Sequence, residues 1–265
     1  MIRVGVLGAA GRMGRMVSQA VAEDPGMAVV AGIDPSHAGQ HLGGLIGRPD
    51  VDVEISGDRD ALTRAEAEVA VDFTRPDAVM DNIRWAVGHA LHIVVGTTGI
   101  TPKDLDEIRG SLEKEGGRSN VFVAPNFAVG AVLMQRFAAQ AARFFPAGEI
   151  IELHHEGKLD APSGTAKATA QRMAEARVDE WRGPSRETIP GVRGGDADGI
   201  RVHSVRLPGL VAHQEVVFGG RGETLTIRHD SLDRVSFMPG VLMAIEAVAS
   251  LPGLTVGLDS LLDER

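Results

Sequence analysis

Gly8-Ala9-Ala10-Gly11-Arg12-Met13-Gly14 lies between a short apolar run, residues 2–7, and a stretch with helical spacing. A glycine-rich turn that joins a strand to a helix leaves backbone amides bare at the helix N-terminus, and such amides hold a pyrophosphate. The spacing is G-x-x-G-x-x-G, a variant of the commoner dinucleotide fingerprint, and alone it is weak because glycines in such turns also serve close packing. Support comes from Asp34, which follows the second apolar run 20 positions beyond Gly14. There a carboxylate accepts hydrogen bonds from adenosine ribose hydroxyls. An acid at this place repels a 2′-phosphate, and Pro35 adds no positive charge beside it. NADH is therefore expected to serve at least as well as NADPH, with Arg12 the side chain placed to reach a 2′-phosphate.

Working outward, the first half repeats one unit: an apolar run rich in Val and Ile, a small or polar turn, then helical spacing. The runs are residues 2–7, 27–33, 69–73, 91–95 and 121–124, each the length of a buried strand. This alternation predicts βαβ units and a parallel sheet. Ligands of such sheets sit beyond the carboxyl ends of the strands. Those ends carry the glycine turn, Asp34, Thr74-Arg75-Pro76, Gly96-Thr97-Thr98-Gly99 and Pro125-Asn126-Phe127. The Gly96 turn is expected near the nicotinamide end of a cofactor.

After Asn126 the pattern changes. Residues 128–144 and 164–176 have helical spacing, and 149–155 reads as a strand. Residues 200–207, 211–218 and 223–230 have β composition, with Leu225 and Ile227 alternating against Thr224, Thr226 and Arg228. Residues 177–199 lack periodicity and read as a long surface loop. Residues 234–251 regain helical spacing and are expected to return to the first domain. The fold class predicted is α/β: a Rossmann-type parallel sheet domain (1–126 and 235–265) plus an α+β substrate and oligomerisation domain (127–234) with an open, mainly antiparallel sheet.

Composition narrows the chemistry. The 265 residues are 43% hydrophobic and 24% charged, enough for substantial cores without a signature of disorder. The net charge of −9, with basic residues scattered, argues against nucleic acid as partner. The first apolar run stops at Gly8 and no run reaches 18 residues, so neither a signal peptide nor a membrane span is expected, and a cytoplasmic location is. There is no cysteine and no tyrosine. Thiol nucleophiles, thiolate metal sites and a phenolic proton donor are thereby excluded.

His154-His155-Glu156-Gly157-Lys158-Leu159-Asp160-Ala161-Pro162-Ser163-Gly164-Thr165 is the densest chemical stretch. Two imidazoles and an amine precede a helix start capped by Ser163, whose first amides suit a carboxylate. No H-E-x-x-H or other metal spacing is present, so no metal is expected. If the strand ran through His155, alternation would send His154 and His155 to opposite faces; both serve one site only if it ends near His154.

At this point the chain resembles the dihydrodipicolinate reductase family along essentially its whole length. The segments that carry the likeness are GAAGRMG, VDFTRP, VVGTTG, APNFAVG and, most specifically, ELHHEGKLDAPSGTA. The resemblance implies an NADH- or NADPH-dependent reductase of lysine and diaminopimelate synthesis. Its substrate is a small dicarboxylate, the cyclic product of pyruvate and aspartate semialdehyde condensation; hydride goes to ring carbon 4, water is lost, and tetrahydrodipicolinate results. Carried over by position, His154 is proton donor or acceptor and Lys158 proton donor. His155, Ser163, Gly164 and Thr165 hold the substrate carboxylates. Gly8, Ala9, Ala10, Gly11, Arg12, Met13, Asp34, Gly96, Thr97, Thr98, Ala124, Pro125, Asn126 and Phe127 surround the cofactor, with Arg234 and Phe237 as further lining. The family further implies a homotetramer through the second domain's sheet and hinged closure. Pro35 departs from relatives that place a basic residue beside the acid, which leaves the choice of nucleotide open. The rival readings are another Rossmann-type dehydrogenase of amino or keto acids, and a non-catalytic NAD-binding protein.

Overall fold

A computed structural model describes residues 1–178 and 186–263. Two compact units emerge, Met1–Phe127 with Phe237–Arg265 and Ala128–Ser236.

The first unit is built on seven strands: β1 (Ile2–Leu7), β2 (Met27–Ile33), β3 (Ile55–Ser56), β4 (Val69–Asp72), β5 (His92–Val95), β6 (Val121–Val123) and β12 (Leu254–Val256). All pair in parallel, in the order β12-β6-β5-β4-β1-β2-β3. The inner strands are near-continuous apolar runs, and β4 is buried at every position, as a sheet covered on both faces requires. The chain steps outward from β1 to β3, then returns to β4 on the other side of β1. That reversal makes the loops leaving β1 and β4 diverge, the usual place for a ligand in an open parallel sheet.

The crossovers and flanks are α1 (Arg12–Glu23), α2 (Leu42–Ile46), α3 (Asp60–Arg64), α4 (Val79–Gly88), α5 (Pro102–Lys114), α8 (Met238–Ala247) and α9 (Asp259–Leu262). α5 opens with a reciprocal capping box, in which Thr101 and Asp104 each satisfy the other's amide. α4 and α5 bury Val79, Ile83, Val87, Ile108 and Leu112 against Ile93 and Val121 of the sheet. α8 packs on α1 and β5, so the predicted return of the terminal helix is observed. The short strands β3 and β12 were not anticipated: two or three residues are too few to display a period.

The second unit has a five-stranded sheet. Its strands are β7 (Ala147–His154), β8 (Gly195–Ala197), β9 (Ile200–Arg206), β10 (Ala212–Gly220) and β11 (Glu223–Ser231), in the order β11-β10-β7-β9-β8. Most pairings are antiparallel, but β7 and β9 run parallel. The chain reaches β9 by crossing over α7 (Gly164–Ala176), and a crossover connection yields a parallel pair. α6 (Val129–Ala141) and α7 cover one face, where Ile150, Val202, Val216 and Phe218 meet Ala138, Ala170 and Met173. The stretch read as loop from 177 to 199 is only partly so. Residues 179–185 lie outside the described part, and β8 ends in a two-residue hairpin, Asp198-Gly199, with both residues at positive φ. Among the described residues no helix is long and apolar enough to cross a membrane.

The packing of α1 on β1 turns on Gly14. A Cβ there would lie 2.0 Å from the Gly8 carbonyl oxygen and 2.7 Å from its carbon, which only backbone movement relieves. Gly14→Ala should lower unfolding stability by about 1–3 kcal/mol; a denaturant midpoint equal to that of the parent would show that the turn is looser than this geometry.

Candidate active site

In the first unit, the glycine turn is held from both sides. Gly8, at φ 77°, and Ala9 donate their amides to the Ile33 carbonyl at 2.8 and 3.1 Å, and Gly11 donates to the Gly8 carbonyl at 2.9 Å. Arg15 donates Nε to the Ala10 carbonyl at 2.7 Å, a lock that sequence spacing did not reveal. Gly11 caps α1 with no side chain, so the amides of Arg12 and Met13 open the helix without an intrahelical acceptor. Arg12 is exposed and Met13 half-buried, whereas Ala9 and Ala10 are buried.

Asp34 follows β2 and caps a short 3₁₀ turn, accepting from the Ser36 amide through Oδ1 at 3.1 Å. The same oxygen lies 3.1 Å from His37 Nδ1, a polar neighbour that the reading from Pro35 missed. Asp34 Oδ2 has no partner among the described residues and is an acceptor available to a ribose hydroxyl. The bare helix start, the glycine cradle and this acceptor fit a dinucleotide, whose pyrophosphate and adenosine ribose they would hold.

Thr97 is buried and Thr98 exposed. The Thr97 hydroxyl does not face outward; it donates to Asp72 Oδ1 at 2.7 Å. Asp72, fully buried at the end of β4, also accepts from the Thr74 amide (2.9 Å) and hydroxyl (2.7 Å) and, through Oδ2, from Asn82 (2.7 Å). One carboxylate thus ties together the loops after β4 and β5. Gly96 is required by Phe73, because a Cβ there would lie 2.1 Å from the ring. Phe127 is buried, its ring 5.9 Å from that of Phe73 and 6.3 Å from that of Phe122; only its backbone can meet a ligand. Ala124 is buried too, with its amide on the Val95 carbonyl, and Pro125 is exposed beside the half-buried Asn126. Arg234 is exposed and Phe237 half-buried, on one 3₁₀ turn.

In the second unit, β7 ends at His154, as two serviceable histidines require. His155 lies exposed one residue beyond, and its carbonyl accepts from the Lys158 amide at 3.1 Å, a turn that brings Lys158 back toward the strand end. His154 Nδ1 is 2.5 Å from Glu152 Oε2, two positions earlier on the same strand face. Burial pushes the His154 pKa down; Glu152 pulls it up, less strongly, and the result is below the ordinary value. Lys158 donates Nζ to Asp160 Oδ1 at 2.7 Å and holds that carboxyl below its usual range. Ser163 is buried, and its hydroxyl accepts from the Ala166 amide at 3.1 Å. It therefore caps α7. Gly164 opens the helix into free space, with nothing within 4 Å of where a Cβ would be. Thr165 is half-buried, and its carbonyl accepts from Gln135 at 3.2 Å and from Thr169 at 2.8 Å. Glu152, Asp160 and Arg206 were not singled out from sequence. A lone carboxylate inside the strand run ELH was a legible signal for a buried partner, but Arg206 lies 54 residues away.

A doubly wound parallel sheet with a glycine cradle at its crevice and an acid after β2 defines an NAD(P)H-dependent oxidoreductase of the Rossmann type. Family models described as dihydrodipicolinate reductase, N-terminus, and dihydrodipicolinate reductase, C-terminus, match residues 2–127 and 130–262. The chain is 51% identical over 266 residues to 4-hydroxy-tetrahydrodipicolinate reductase of Nocardia farcinica, with 99% of each chain covered. It is 49% identical over 264 residues to the enzyme of that name from Mycolicibacterium smegmatis, again with 99% of each covered. Dipicolinate-bound dihydrodipicolinate reductase from Paenisporosarcina sp. TG-14 superposes with a TM-score of 0.86 at 41% identity, covering 98% of this chain and 99% of that one. A probable dehydrogenase from Thermotoga maritima shares the fold alone, with a TM-score of 0.65 at 11% identity over 100% of this chain and 98% of the other. The chain belongs to the dihydrodipicolinate reductase family.

Asp72→Asn should disturb both loops at once, since an amide cannot accept from all four donors. The expected outcome is a loss of about 1–3 kcal/mol in stability together with weaker NADH binding. Fluorescence titration with NADH and urea unfolding read the two effects; unchanged affinity would free the loops from this carboxylate.

Proposed function

We propose that this chain reduces the cyclic 4-hydroxy dicarboxylate formed from pyruvate and aspartate semialdehyde to tetrahydrodipicolinate, the 4-hydroxyl leaving as water and a hydride and a proton being added. The observation that carries the reading is the cluster from residue 152 to 165, with a carboxylate-bound imidazole, an amine and a capped helix start within one strand end and its loop. When bound, the reduced nicotinamide supplies the hydride for ring carbon 4. His155 and the amides at Gly164 and Thr165 receive the substrate carboxylates, with Ser163 holding the helix end in place. Such preorganised donors need no rearrangement as the reaction proceeds. Lys158 delivers a proton while its charge draws the dianion in, and His154 takes up or returns a proton through Nε2, the ring nitrogen not engaged by Glu152. In the first unit, Gly8 to Met13 hold the pyrophosphate, Asp34 the adenosine ribose, and the backbone at Gly96 to Thr98 and Ala124 to Phe127 the nicotinamide side.

Asp34 favours NADH, while Arg12 is the cation through which NADPH would be admitted. NADH is read as serving at least as well as NADPH. The face of the second sheet turned away from α6 and α7 carries Ile151, Leu153, Val205 and Val217, by strand register. This supports a homotetramer assembled through that face. A cytoplasmic location goes with a biosynthetic reductase that draws on the nicotinamide pool.

The decisive assay generates the substrate from pyruvate and aspartate semialdehyde with a synthase, adds this protein, and follows nicotinamide absorbance. Oxidation that requires both the synthase and this protein is expected, and a kcat/KM several-fold higher with NADPH than with NADH would contradict the role given to Asp34. Lys158→Ala should lower kcat by about 10² or more, the range of a lost general acid. A near-normal rate would remove Lys158 from proton delivery.

A further inference from the structure

Glu152 has no part in the chemistry above, yet its side chain is 0% exposed. A carboxylate so enclosed is tolerated only when paired, and here the pairing is directional. Arg206 donates Nη1 to Oε2 at 3.0 Å and Nη2 to Oε1 at 2.8 Å. This two-pronged grip keeps the carboxylate from turning, and it follows from register, because Arg206 stands opposite His154 in the parallel pair of β7 and β9. Burial pushes the Glu152 pKa up, but the hydrogen bonds from Arg206 and Ser204 and the charge of His154 outweigh it, and the group stays below its ordinary value. It is therefore ionised at neutral pH and can only accept.

We infer that Glu152, clamped by Arg206, is a positioning residue that fixes which nitrogen of His154 carries the proton. With an acceptor-only oxygen 2.5 Å away, Nδ1 must hold its hydrogen. The neutral ring then presents a bare Nε2, opposite to the tautomer that a free imidazole prefers. A proton arrives on Nε2 and leaves from it, and the Nδ1–H bond is kept throughout. The charged groups facing His154 are Glu152 from its own strand, Arg206 from β9 and Lys158 from the following loop.

Arg206 also reaches the other proton carrier. Its Nη2 donates to the Asp160 carbonyl at 2.6 Å, and the Asp160 carboxylate holds Lys158 Nζ at 2.7 Å. One guanidinium thus anchors the carboxylate that aims His154 and the loop segment that steadies Lys158. This inference rests on the reading of His154 as a proton carrier.

The test removes the acceptor together with its clamp, in the E152L/R206M double variant, which leaves no unpaired buried charge. With no acceptor beside Nδ1, the ring should revert to the Nε2–H tautomer. Two-dimensional ¹H–¹⁵N spectra of histidine-labelled protein, with His154→Ala to assign the resonance, read this without any turnover. The parent should show Nδ1–H and E152L/R206M should show Nε2–H, with kcat lowered about 10²-fold or more, as when a catalytic histidine loses its orienting carboxylate. E152D, which keeps an acceptor, should keep the tautomer and part of the rate. If E152L/R206M does not fold, E152A/R206M carries the same measurement. An Nε2–H tautomer in the parent, or a double variant that keeps Nδ1–H or stays within about threefold of the parent kcat, would overturn the inference. A normal rate for H154A would instead overturn the role of His154, while the tautomer spectra still decide whether Glu152 sets it.

Discussion

A carboxylate removed from water must gather donors around itself, and in each unit of this protein one such group dictates where the loops of the site lie. In the first unit Asp72 collects Thr74, Asn82 and Thr97, so the segments leaving two neighbouring strands cannot move independently. In the second, Glu152 collects Arg206 and His154. Removing one partner of a buried ion pair costs about 3–5 kcal/mol, more than any single exposed ion pair contributes. Neither group touches a ligand in the proposed reaction. Both decide the geometry of groups that do.

The two arrangements solve different problems. Asp72 orders backbone, because what a dinucleotide needs is amides and bare glycine at defined places. Glu152 orders a side chain and its protonation state, because what proton transfer needs is a lone pair aimed in one direction. The second demand is the more exacting, since an imidazole with its hydrogen on the other nitrogen has nearly the same shape and charge but cannot accept where it must. That difference accounts for the guanidinium that grips Glu152 directly, whereas Arg59 reaches Asp72 only through the Asn82 amide.

Much of this was legible in the residues. Runs of Val and Ile buried on both sheet faces marked β1 and β2 to the residue, and Gly8 to Gly14 with Asp34 marked the cofactor half. The stretch from His154 to Thr165 marked the other half. What stayed hidden was of two kinds. Strands of two or three residues, β3 and β12, carry no period, and β8 was overlooked although Asp198-Gly199 is a hairpin signal in its own right. The partners of charged groups were hidden by distance along the chain: nothing at position 206 announces that it closes on Glu152, and nothing at His37 announces a contact with Asp34 except a helical turn's separation. Hydroxyls have structural duties as well. The fold uses Thr97 to hold Asp72 and Ser163 to cap α7.

The contact of Phe73 with Gly96 constrains how this protein can be re-engineered. The aromatic ring occupies the volume that any side chain at 96 would need, so the two positions behave as a single unit of selection. A side chain at 96 is accommodated only if the Phe73 ring moves aside. Shortening residue 73 first would open a pocket lined by Phe127, and only then would a wider alphabet at 96, and with it a cofactor of altered shape, come within reach.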